Sequence, residues 1–270
     1  MPDAPALAVT KVASDSTPST RALVMLHGIY GRGRNWQAIA RGVVAARPEY
    51  ACWLVDLPYH GDSPPARHGD TVHGLARDLD DWLAETRNQP DVVLGHSYGG
   101  KVALALAAIR PALPFAVWVI DSTPEVKVPS GSAWDMLRVV RALPPRFRSR
   151  DEATSAIVAG GFSFGVGQWM ATNLVRDGDA FVWRLDFERM KRLLDDFFRT
   201  DLWPVVEEAH SPHTFHFLKA TQSSAMSDAA VARIRARGSS NVTLHEREGG
   251  HWIHAEAPDV VTALLLEHLP

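Results

Sequence analysis

The amino-acid sequence predicts an α/β protein in which a mostly parallel sheet is covered by helices on both faces. Two observations support this class. Short runs that are apolar at every position alternate along the chain with longer segments of helical period. Strands that are apolar on both faces are typical of a parallel sheet buried between two layers of helices. Hydrophobic residues make up 46% and charged residues 22% of the 270 positions, as in a globular protein with a large core.

The first half of the chain alternates strands and helices. The predicted strands are Ala22–Leu26, Ala51–Pro58, Asp91–Gly95 and Phe115–Asp121. The predicted helices are Asn35–Ala46 (with Asn35 as its N-cap), Val72–Thr86 and Gly99–Ile109. The helix Val72–Thr86 has one apolar face, formed by Leu75, Leu79, Trp82 and Leu83, which is expected to pack on the sheet.

The alternation stops near residue 125 and resumes near residue 210. Residues 125–209 are predicted to be mostly helical and irregular, and they are rich in aromatic side chains. Strands Thr214–Ala220 and Asn241–Arg247 then alternate with helices Asp228–Arg237 and Ala257–Leu269. We therefore expect residues 1–124 and 210–270 to form one core, with residues 125–209 inserted as a helical cap.

Composition and charge argue against several classes of partner. The formal net charge is -3 and there is no basic cluster, so neither nucleic acid nor an anionic membrane is expected. No stretch approaches the roughly 18 apolar residues of a membrane span, and the N-terminus lacks the pattern of a signal peptide. The single cysteine, Cys52, falls in a predicted strand and is expected to be a buried, unreactive thiol. These features favour a cytoplasmic protein.

The segment Gly95-His96-Ser97-Tyr98-Gly99 lies between an apolar strand and a helix. A sharp strand-to-helix turn forces the central residue into a strained backbone conformation, and glycines on either side relieve the crowding. The hydroxyl of Ser97 would then project into a cleft at the carboxyl ends of the strands, beside the free N–H groups of the helix. The pattern therefore predicts a nucleophilic serine rather than a simple N-cap.

A second loop, His27–Trp36, also follows a strand and precedes a helix. Its Gly31-Arg32-Gly33 resembles the start of a dinucleotide-binding fingerprint, but the third glycine would fall at Trp36, which is too bulky for close packing. We instead expect the N–H of Ile29 to join the N–H of Tyr98 in an oxyanion hole. The side chains of Ile29 and Tyr30 are expected to line the substrate pocket.

Five segments resemble the α/β-hydrolase superfamily, and in particular the small esterases of the YbfF type and of abhydrolase-domain protein 11. They are HGIYG (27–31), DLPYHGDSP (56–64), GHSYGGKVA (95–103), IDSTP (120–124) and GGHWIHAEAP (249–258). They occur in the family's order and span almost the whole chain, whereas the cap matches in composition alone. The resemblance implies an α/β-hydrolase fold, a Ser-His-Asp carboxylesterase and a helical cap over the site.

The resemblance also implies the catalytic base, because the family's histidine occupies the motif that contains His251. His254 is the alternative, and we expect it to be a structural residue that bonds nearby backbone. His27 and His60 are expected to orient loops, and His96 to point away from Ser97. His210, His213 and His216 have a spacing that suggests a metal site, but Pro212 breaks any helix there, so no metal is expected.

The triad acid departs from the pattern of many α/β-hydrolases, which carry it after the strand that corresponds to Thr214–Ala220. Here that loop holds Ser223 and Ser224 where a carboxylate would be expected, and Asp228 comes later. Asp121, at the end of the strand that follows the nucleophile strand, can reach the far side of His251. We predict Asp121 as the acid, in agreement with the IDSTP motif, and keep Asp228 as the alternative. Asp56 is expected to anchor its own loop.

Together these residues predict a serine hydrolase that cleaves carboxylic esters with short- to medium-chain apolar groups through an acyl-enzyme. Ser97, His251 and Asp121 would be catalytic, and Tyr30 and Trp252 would line the pocket. The expected partner is a small-molecule ester, no cofactor is required, and the protein would be a monomer or a homodimer. A thioester or a C–C bond could be cleaved by the same triad, and a non-catalytic receptor for a small ligand is the alternative from another class.

Overall fold

The computed structural model describes residues 7–237 and 241–270. Its main feature is a seven-stranded sheet in the order β1-β3-β2-β4-β5-β9-β10. The strands are β1 Val9–Val12, β2 Arg21–Leu26, β3 Tyr50–Val55, β4 Val92–His96, β5 Ala116–Ile120, β9 Thr214–Ala220 and β10 Val242–Arg247. All neighbouring strands are parallel except β1, which runs antiparallel to β3. The predicted fold class is confirmed.

Helices cover both faces of this sheet. They are α1 Gln37–Ala46, α2 Val72–Glu85, α3 Tyr98–Ile109, α9 Asp228–Arg237, α10 Ile253–Glu256 and α11 Pro258–His268. Side chains of α1 and α11 belong to the apolar cluster on one face, and those of α2, α3 and α9 to the cluster on the other. The predicted apolar face of α2 is buried, as its period indicated. None of the helices in the described part of the chain is both long and apolar enough to cross a membrane.

Two features of the core differ from the sequence prediction. The edge strand β1 was not predicted, because its four residues, of which the central two are exposed, carry no continuous apolar run. Asn35 is not a helix N-cap: it lies in a 3-10 turn, Gly33–Trp36, and its Oδ1 accepts the N–H of Arg32 at 2.7 Å.

Cys52 lies in β3 with no exposed surface, and burial raises the pKa of its thiol to about 12, so it stays protonated at neutral pH.

The chain between β5 and β9 forms a second layer above the carboxyl ends of the strands. Its helices are α4 Ser132–Ala142, α5 Arg150–Ala159, α6 Phe164–Ala171, α7 Phe187–Arg199 and α8 Trp203–Val206. It also contains a small antiparallel sheet of β6 Arg146–Phe147, β7 Leu174–Asp177 and β8 Ala180–Trp183, in the order β6-β8-β7. The sequence predicted no strands here, because segments of two to four residues are too short to show a period of two.

A buried lysine joins this layer to the core. Lys101 lies on α3 with no exposed surface, and its ammonium donates hydrogen bonds to three backbone carbonyls. These belong to Glu125 (2.8 Å), where the inserted layer begins, and to Phe197 (2.6 Å) and Thr200 (2.7 Å), at the end of α7. Because an ammonium has three N–H donors, all of its hydrogen-bonding capacity is used. Lys101 therefore holds the start of the layer and the end of α7 against the helix that follows Ser97.

Candidate active site

Ser97 lies at the sharp turn between β4 and α3. Its backbone has φ 52° and ψ -115°, a conformation that residues other than glycine rarely adopt. The turn is held by hydrogen bonds from the Ser97 N–H to the Ile120 carbonyl (3.0 Å) and from the Gly100 N–H to the Ser97 carbonyl (2.9 Å). The strained residue predicted from the sequence is thus present, and it sits at the carboxyl edge of the sheet.

The two glycines beside Ser97 are required by close backbone contacts. A Cβ at Gly95 would lie 2.0 Å from the carbonyl oxygen of Gly99, and a Cβ at Gly99 would lie 2.6 Å from the carbonyl oxygen of His27. Neither distance is possible for a side-chain carbon. The glycines therefore let the strand, the helix and the neighbouring loop approach each other, which brings the His27–Gly28 backbone next to the serine.

His251, from the far end of the chain, contacts Ser97 directly. Its Nε2 lies 3.1 Å from Oγ of Ser97, and its Nδ1 lies 2.7 Å from Oδ2 of Asp121. Because a carboxylate can only accept, Nδ1 carries the proton and Nε2 is left as the acceptor for the serine hydroxyl. All three side chains are buried. The structure therefore brings together Ser97, His251 and Asp121 in a continuous hydrogen-bonded chain.

The backbone of His251 is itself positioned by a second histidine. Nε2 of His96 lies 2.7 Å from the carbonyl oxygen of His251, to which it donates. His96 is fully buried, and burial lowers its pKa well below the usual value, so it serves as a neutral donor. The sequence prediction that His96 points away from Ser97 agrees with this contact, but its role in holding His251 was not predicted.

Asp121 follows β5, and three donors converge on its fully buried carboxylate. Oδ1 accepts the N–H of Ala220 at 3.1 Å, and Oδ2 accepts the hydroxyl of Ser223 at 2.5 Å in addition to the N–H of His251. Its own N–H donates to the carbonyl of Leu218 at 2.7 Å, which fixes it against β9. Hydrogen bonds to a charged acceptor are strong, and they compensate for the loss of water around the buried carboxylate.

Ser223 stands in the sequence at the usual position of the acid, and its contact with Asp121 was not predicted. The only signal available was the missing carboxylate at the end of β9. The alternative acid, Asp228, is exposed in the first turn of α9. The N–H of Ala230 in that turn is accepted by the hydroxyl of Ser227 at 3.0 Å. Asp228 is therefore placed in a helix terminus, and Nδ1 of His251 is engaged by Asp121 instead.

The loop after β2 is held beside Ser97 by two buried histidines. His27 donates from Nδ1 to the carbonyl of Gly28 (2.8 Å), and its Nε2 accepts the N–H of Leu57 (2.9 Å). Nε2 of His60 lies 2.5 Å from the carbonyl oxygen of Ile29. Burial lowers the pKa of both imidazoles, so they act as neutral hydrogen-bonding groups. These contacts match the loop-orienting roles predicted for the two residues.

The predicted oxyanion donors come from two different elements. Tyr98 is the first residue of α3, so its N–H has no acceptor within the helix and lies at the positive end of the helix dipole. Ile29 belongs to the loop after β2, and a Cβ at the adjacent Gly28 would lie 3.4 Å from Cβ of Ser97. Both peptide groups therefore flank the serine, and their function as a pair remains a prediction.

His254 differs from the prediction that it bonds nearby backbone. Its Nδ1 is buried with no hydrogen-bond partner in the described residues, and its ring packs against those of His96 (centroids 4.1 Å apart) and Trp36 (4.9 Å). Burial lowers the pKa of His254 to about 3. The residue is therefore a neutral packing element behind His251.

The other polar residues named from the sequence make contacts outside the triad. Asp56 anchors its loop, since its carboxylate accepts the N–H groups of Gly33 (2.7 Å) and Asp62 (3.0 Å). His213 contacts the carbonyl of Ala107 at 3.2 Å, and His216 lies beside His245 with 3.1 Å between ring nitrogens. His210 is exposed.

Two cavities border His251. A small one of about 40 Å³ touches Ser97, Tyr98 and His251, and a larger, open one of about 530 Å³ touches His251 and Trp252. Trp252 thus lines a cavity, and its contact with a substrate remains a prediction. Tyr30 does not line either: its ring is buried, and its hydroxyl donates to the carbonyl of Ala133 on α4 at 2.7 Å. The phenol is used to join the loop to the layer above it.

The fold and this site define an α/β-hydrolase with a hydrogen-bonded serine, histidine and aspartate at the carboxyl edge of its sheet. The chain belongs to the alpha/beta hydrolase family, whose model matches residues 23–264. It is similar to the sn-1-specific diacylglycerol lipase ABHD11 of Mus musculus, with 28% identity over 93% of this chain and 83% of the relative. The corresponding lipase of Xenopus laevis is 30% identical over 87% of this chain and 75% of the relative.

Among solved structures, a marine microorganism esterase superimposes with a TM-score of 0.82 at 22% identity, covering 97% of this chain and 98% of that protein. This similarity shows the fold. The lipase and esterase relatives, taken with the family match, place the protein among the esterase- and lipase-like α/β-hydrolases.

Proposed function

We propose that the protein is a serine hydrolase that cleaves carboxylic esters through an acyl-enzyme. The observation that carries the proposal is the chain of contacts from Ser97 Oγ through His251 to Asp121, at 3.1 and 2.7 Å. In this arrangement a neutral imidazole can take the serine proton, and a buried carboxylate stabilises the imidazolium that forms.

The reaction proceeds in two halves. Oγ of Ser97 attacks the carbonyl carbon of the ester while Nε2 of His251 takes the hydroxyl proton. The negative oxygen of the tetrahedral intermediate accepts hydrogen bonds from the N–H groups of Ile29 and Tyr98, each typically worth about 3–4 kcal/mol. His251 then gives its proton to the leaving oxygen, and the C–O bond to the alcohol breaks to leave the acyl group on Ser97.

Water completes the cycle. His251 takes a proton from a water molecule, whose oxygen attacks the acyl carbon, and the second tetrahedral intermediate collapses with return of the proton to Oγ of Ser97. The carboxylic acid is released and the serine is restored. Throughout, Asp121 holds the Nδ1–H of His251, and Ser223 and Ala220 hold Asp121.

The proposed substrate is a small-molecule carboxylic ester with short- to medium-chain apolar groups. Relatives of this chain are described as a diacylglycerol lipase and as a putative esterase/lipase, which favours an ester bond over the C–C bond or thioester that the same triad could cleave. The apolar side chains of Leu194, Phe197 and Phe198 at the small cavity also favour an apolar acyl group.

A p-nitrophenyl ester series with the wild-type protein and Ser97→Ala tests the proposal. We expect turnover by the wild type and a loss of at least about 10⁴-fold in Ser97→Ala. A fluorophosphonate should label Ser97, and mass spectrometry of the labelled peptide identifies the residue. Labelling of another residue, or stoichiometric ligand capture without turnover, would reject the proposed function. Parallel thioester and C–C substrates report whether the ester is preferred.

A further inference from the structure

The two cavities that border His251 differ in volume and in lining. The small cavity has a volume of about 40 Å³ and is bounded by Ser97, Tyr98 and the apolar side chains of α7, among them Phe197 and Phe198. The large cavity has about 530 Å³ and opens to solvent between the inserted layer and the loop that carries His251. The residues that bound both cavities are Ser132 and His251. Ser97 and Tyr98 border the small cavity and are not among the residues that border the large one.

The positions of the two cavities indicate where the acid and the alcohol of an ester would lie. In the tetrahedral intermediate the acyl carbon is bonded to Oγ of Ser97, and its oxygen points to the N–H of Tyr98. The leaving oxygen must face Nε2 of His251, because it receives its proton from that atom. The acyl chain is therefore assigned to the small cavity, which Ser97 and Tyr98 border. His251 borders both cavities, so with the acyl chain in the small one the alcohol is assigned to the large one.

The cavity volumes then set different limits on the two parts of the substrate. The small cavity, at about 40 Å³, has less than a tenth of the volume of the large one, at about 530 Å³. A volume of 530 Å³ lies within the roughly 300–1,000 Å³ of sites for drug-sized ligands. The small cavity thus limits the acid to a shorter chain, whereas the large cavity accommodates a bulky alcohol.

The walls of the large cavity indicate the chemistry of that alcohol. One wall is aromatic, with the rings of Phe162 and Trp252 packed edge to face at 6.1 Å. The lining also has a charged and exposed part, with Asp135 and Arg138 of α4 paired at 3.6 Å and Glu256 on α10. A cavity with both an aromatic and a charged part fits an amphipathic molecule, since each part of such a molecule finds a matching surface.

We infer that the protein selects esters of short acids with bulky, amphipathic alcohols, and that the cavity between Trp252 and α4 is the alcohol site. The inference rests on the proposed function and adds the substrate class to it. The protein is selective for the acid, because Phe197 and Phe198 limit the length of the acyl chain. It tolerates alcohols of different sizes.

Two ester series test the assignment. The first varies the acid from acetate to decanoate with p-nitrophenol as the fixed alcohol. The second varies the alcohol with butyrate as the fixed acid, using primary alcohols of similar acidity: ethanol, hexanol, 4-phenylbutanol and a triethylene glycol monoether. We expect kcat/KM to fall at least about 100-fold from butyrate to octanoate, as misfit costs of about 1–3 kcal/mol per methylene would produce. In the second series kcat/KM should rise from ethanol to the bulky alcohols.

One variant in each cavity tests which cavity sets the preference for the acid and which sets the preference for the alcohol. Leu194→Ala widens the small cavity and should raise octanoate turnover relative to butyrate, leaving the order of the alcohol series unchanged. Val139→Phe narrows the large cavity and should lower turnover of the 4-phenylbutyl ester relative to the ethyl ester, leaving the acyl series unchanged. Thermal melts show whether each variant is folded, and the ratio of two substrates within one variant is independent of the active fraction.

The outcomes separate the inference from the proposed function. Ester turnover with equal tolerance on both sides, or with long acids preferred, would overturn the assignment of the cavities while leaving a serine esterase. Absence of both ester turnover and fluorophosphonate labelling of Ser97 would instead reject the proposed function itself.

Discussion

The hydroxyl of Ser223 lies 2.5 Å from Oδ2 of Asp121, the same carboxylate oxygen that accepts the N–H of His251. Ser223 follows β9, whereas Asp121 follows the neighbouring strand β5, and the two strands are paired with Ile120 opposite Leu218. The serine thus occupies the strand end at which many α/β-hydrolases carry the acid, and it donates to the acid that stands one strand away. Two adjacent strand ends share the task of orienting the histidine.

Loss of this contact should lower activity. Ser223→Ala removes a donor to a buried carboxylate, and hydrogen bonds to charged groups contribute about 1.5–3 kcal/mol. We expect kcat to fall roughly 10- to 100-fold with little change in KM, measured with p-nitrophenyl butyrate. Ser224→Ala is the matched control, because that side chain is exposed on the same loop. Wild-type kcat in Ser223→Ala would show that the hydroxyl does not support Asp121.

The choice of triad acid is tested by two isosteric changes. Asp121→Asn keeps the shape of the side chain but removes its charge and favours the wrong tautomer of His251, so kcat should fall about 10⁴-fold. Asp228→Asn alters an exposed carboxylate in the first turn of α9, and we expect activity within about two-fold of wild type. A severe loss in Asp228→Asn together with an active Asp121→Asn would reverse the assignment.

Lys101 should matter for stability, because its ammonium satisfies three buried carbonyls. Lys101→Met leaves these oxygens without a donor, and we expect the free energy of unfolding to fall by about 3 kcal/mol and Tm by roughly 6–12 °C. Lys191→Met is the control: this partly exposed lysine of α7 pairs with Asp195, and such pairs contribute about 1 kcal/mol or less. Equal melting temperatures for the two variants would contradict the role given to Lys101.

Buried histidines should make the protein sensitive to acid. Burial lowers the pKa of His216 and His245 to about 4 and that of His254 to about 3, against 6.5 for an exposed imidazole. The unfolded chain therefore binds more protons below pH 6.5, so the stabilisation is complete above that pH and is lost as the pH falls towards 4. We expect the free energy of unfolding in urea to be at least about 2 kcal/mol lower at pH 5.0 than at pH 7.5.

A substitution at one of these positions isolates the effect. His254→Leu places an apolar side chain of similar volume beside Trp36 and cannot titrate, so the loss between pH 7.5 and 5.0 should shrink by about 2 kcal/mol. His73→Gln removes an exposed imidazole and should leave the loss unchanged. A pH dependence that is the same in both variants would assign the acid sensitivity to other groups.

The elements that the sequence predicted well are those whose signal is local. Continuous apolar runs identified the central strands, because burial on both faces makes a strand apolar at every position. Helical period identified α2 and α3, because a buried helix face repeats its apolar residues along the chain. The strained turn at Ser97 was predicted in the same way, since Gly95 and Gly99 stand at fixed positions around it. The four-residue strand β1 and the three short strands β6, β7 and β8 left no such repeat.

What the sequence by itself determined is therefore the order of strands and helices, the serine at the turn and a motif around His251. Only the tertiary structure decided that His96 holds His251, that Ser223 holds Asp121, and that Lys101 joins α3 to the layer above. These partners are separated by 155, 102 and 96 positions in the chain, so no pattern within one segment can reveal them. Their contacts arise because parallel strands deliver their carboxyl ends to one edge, where distant residues meet.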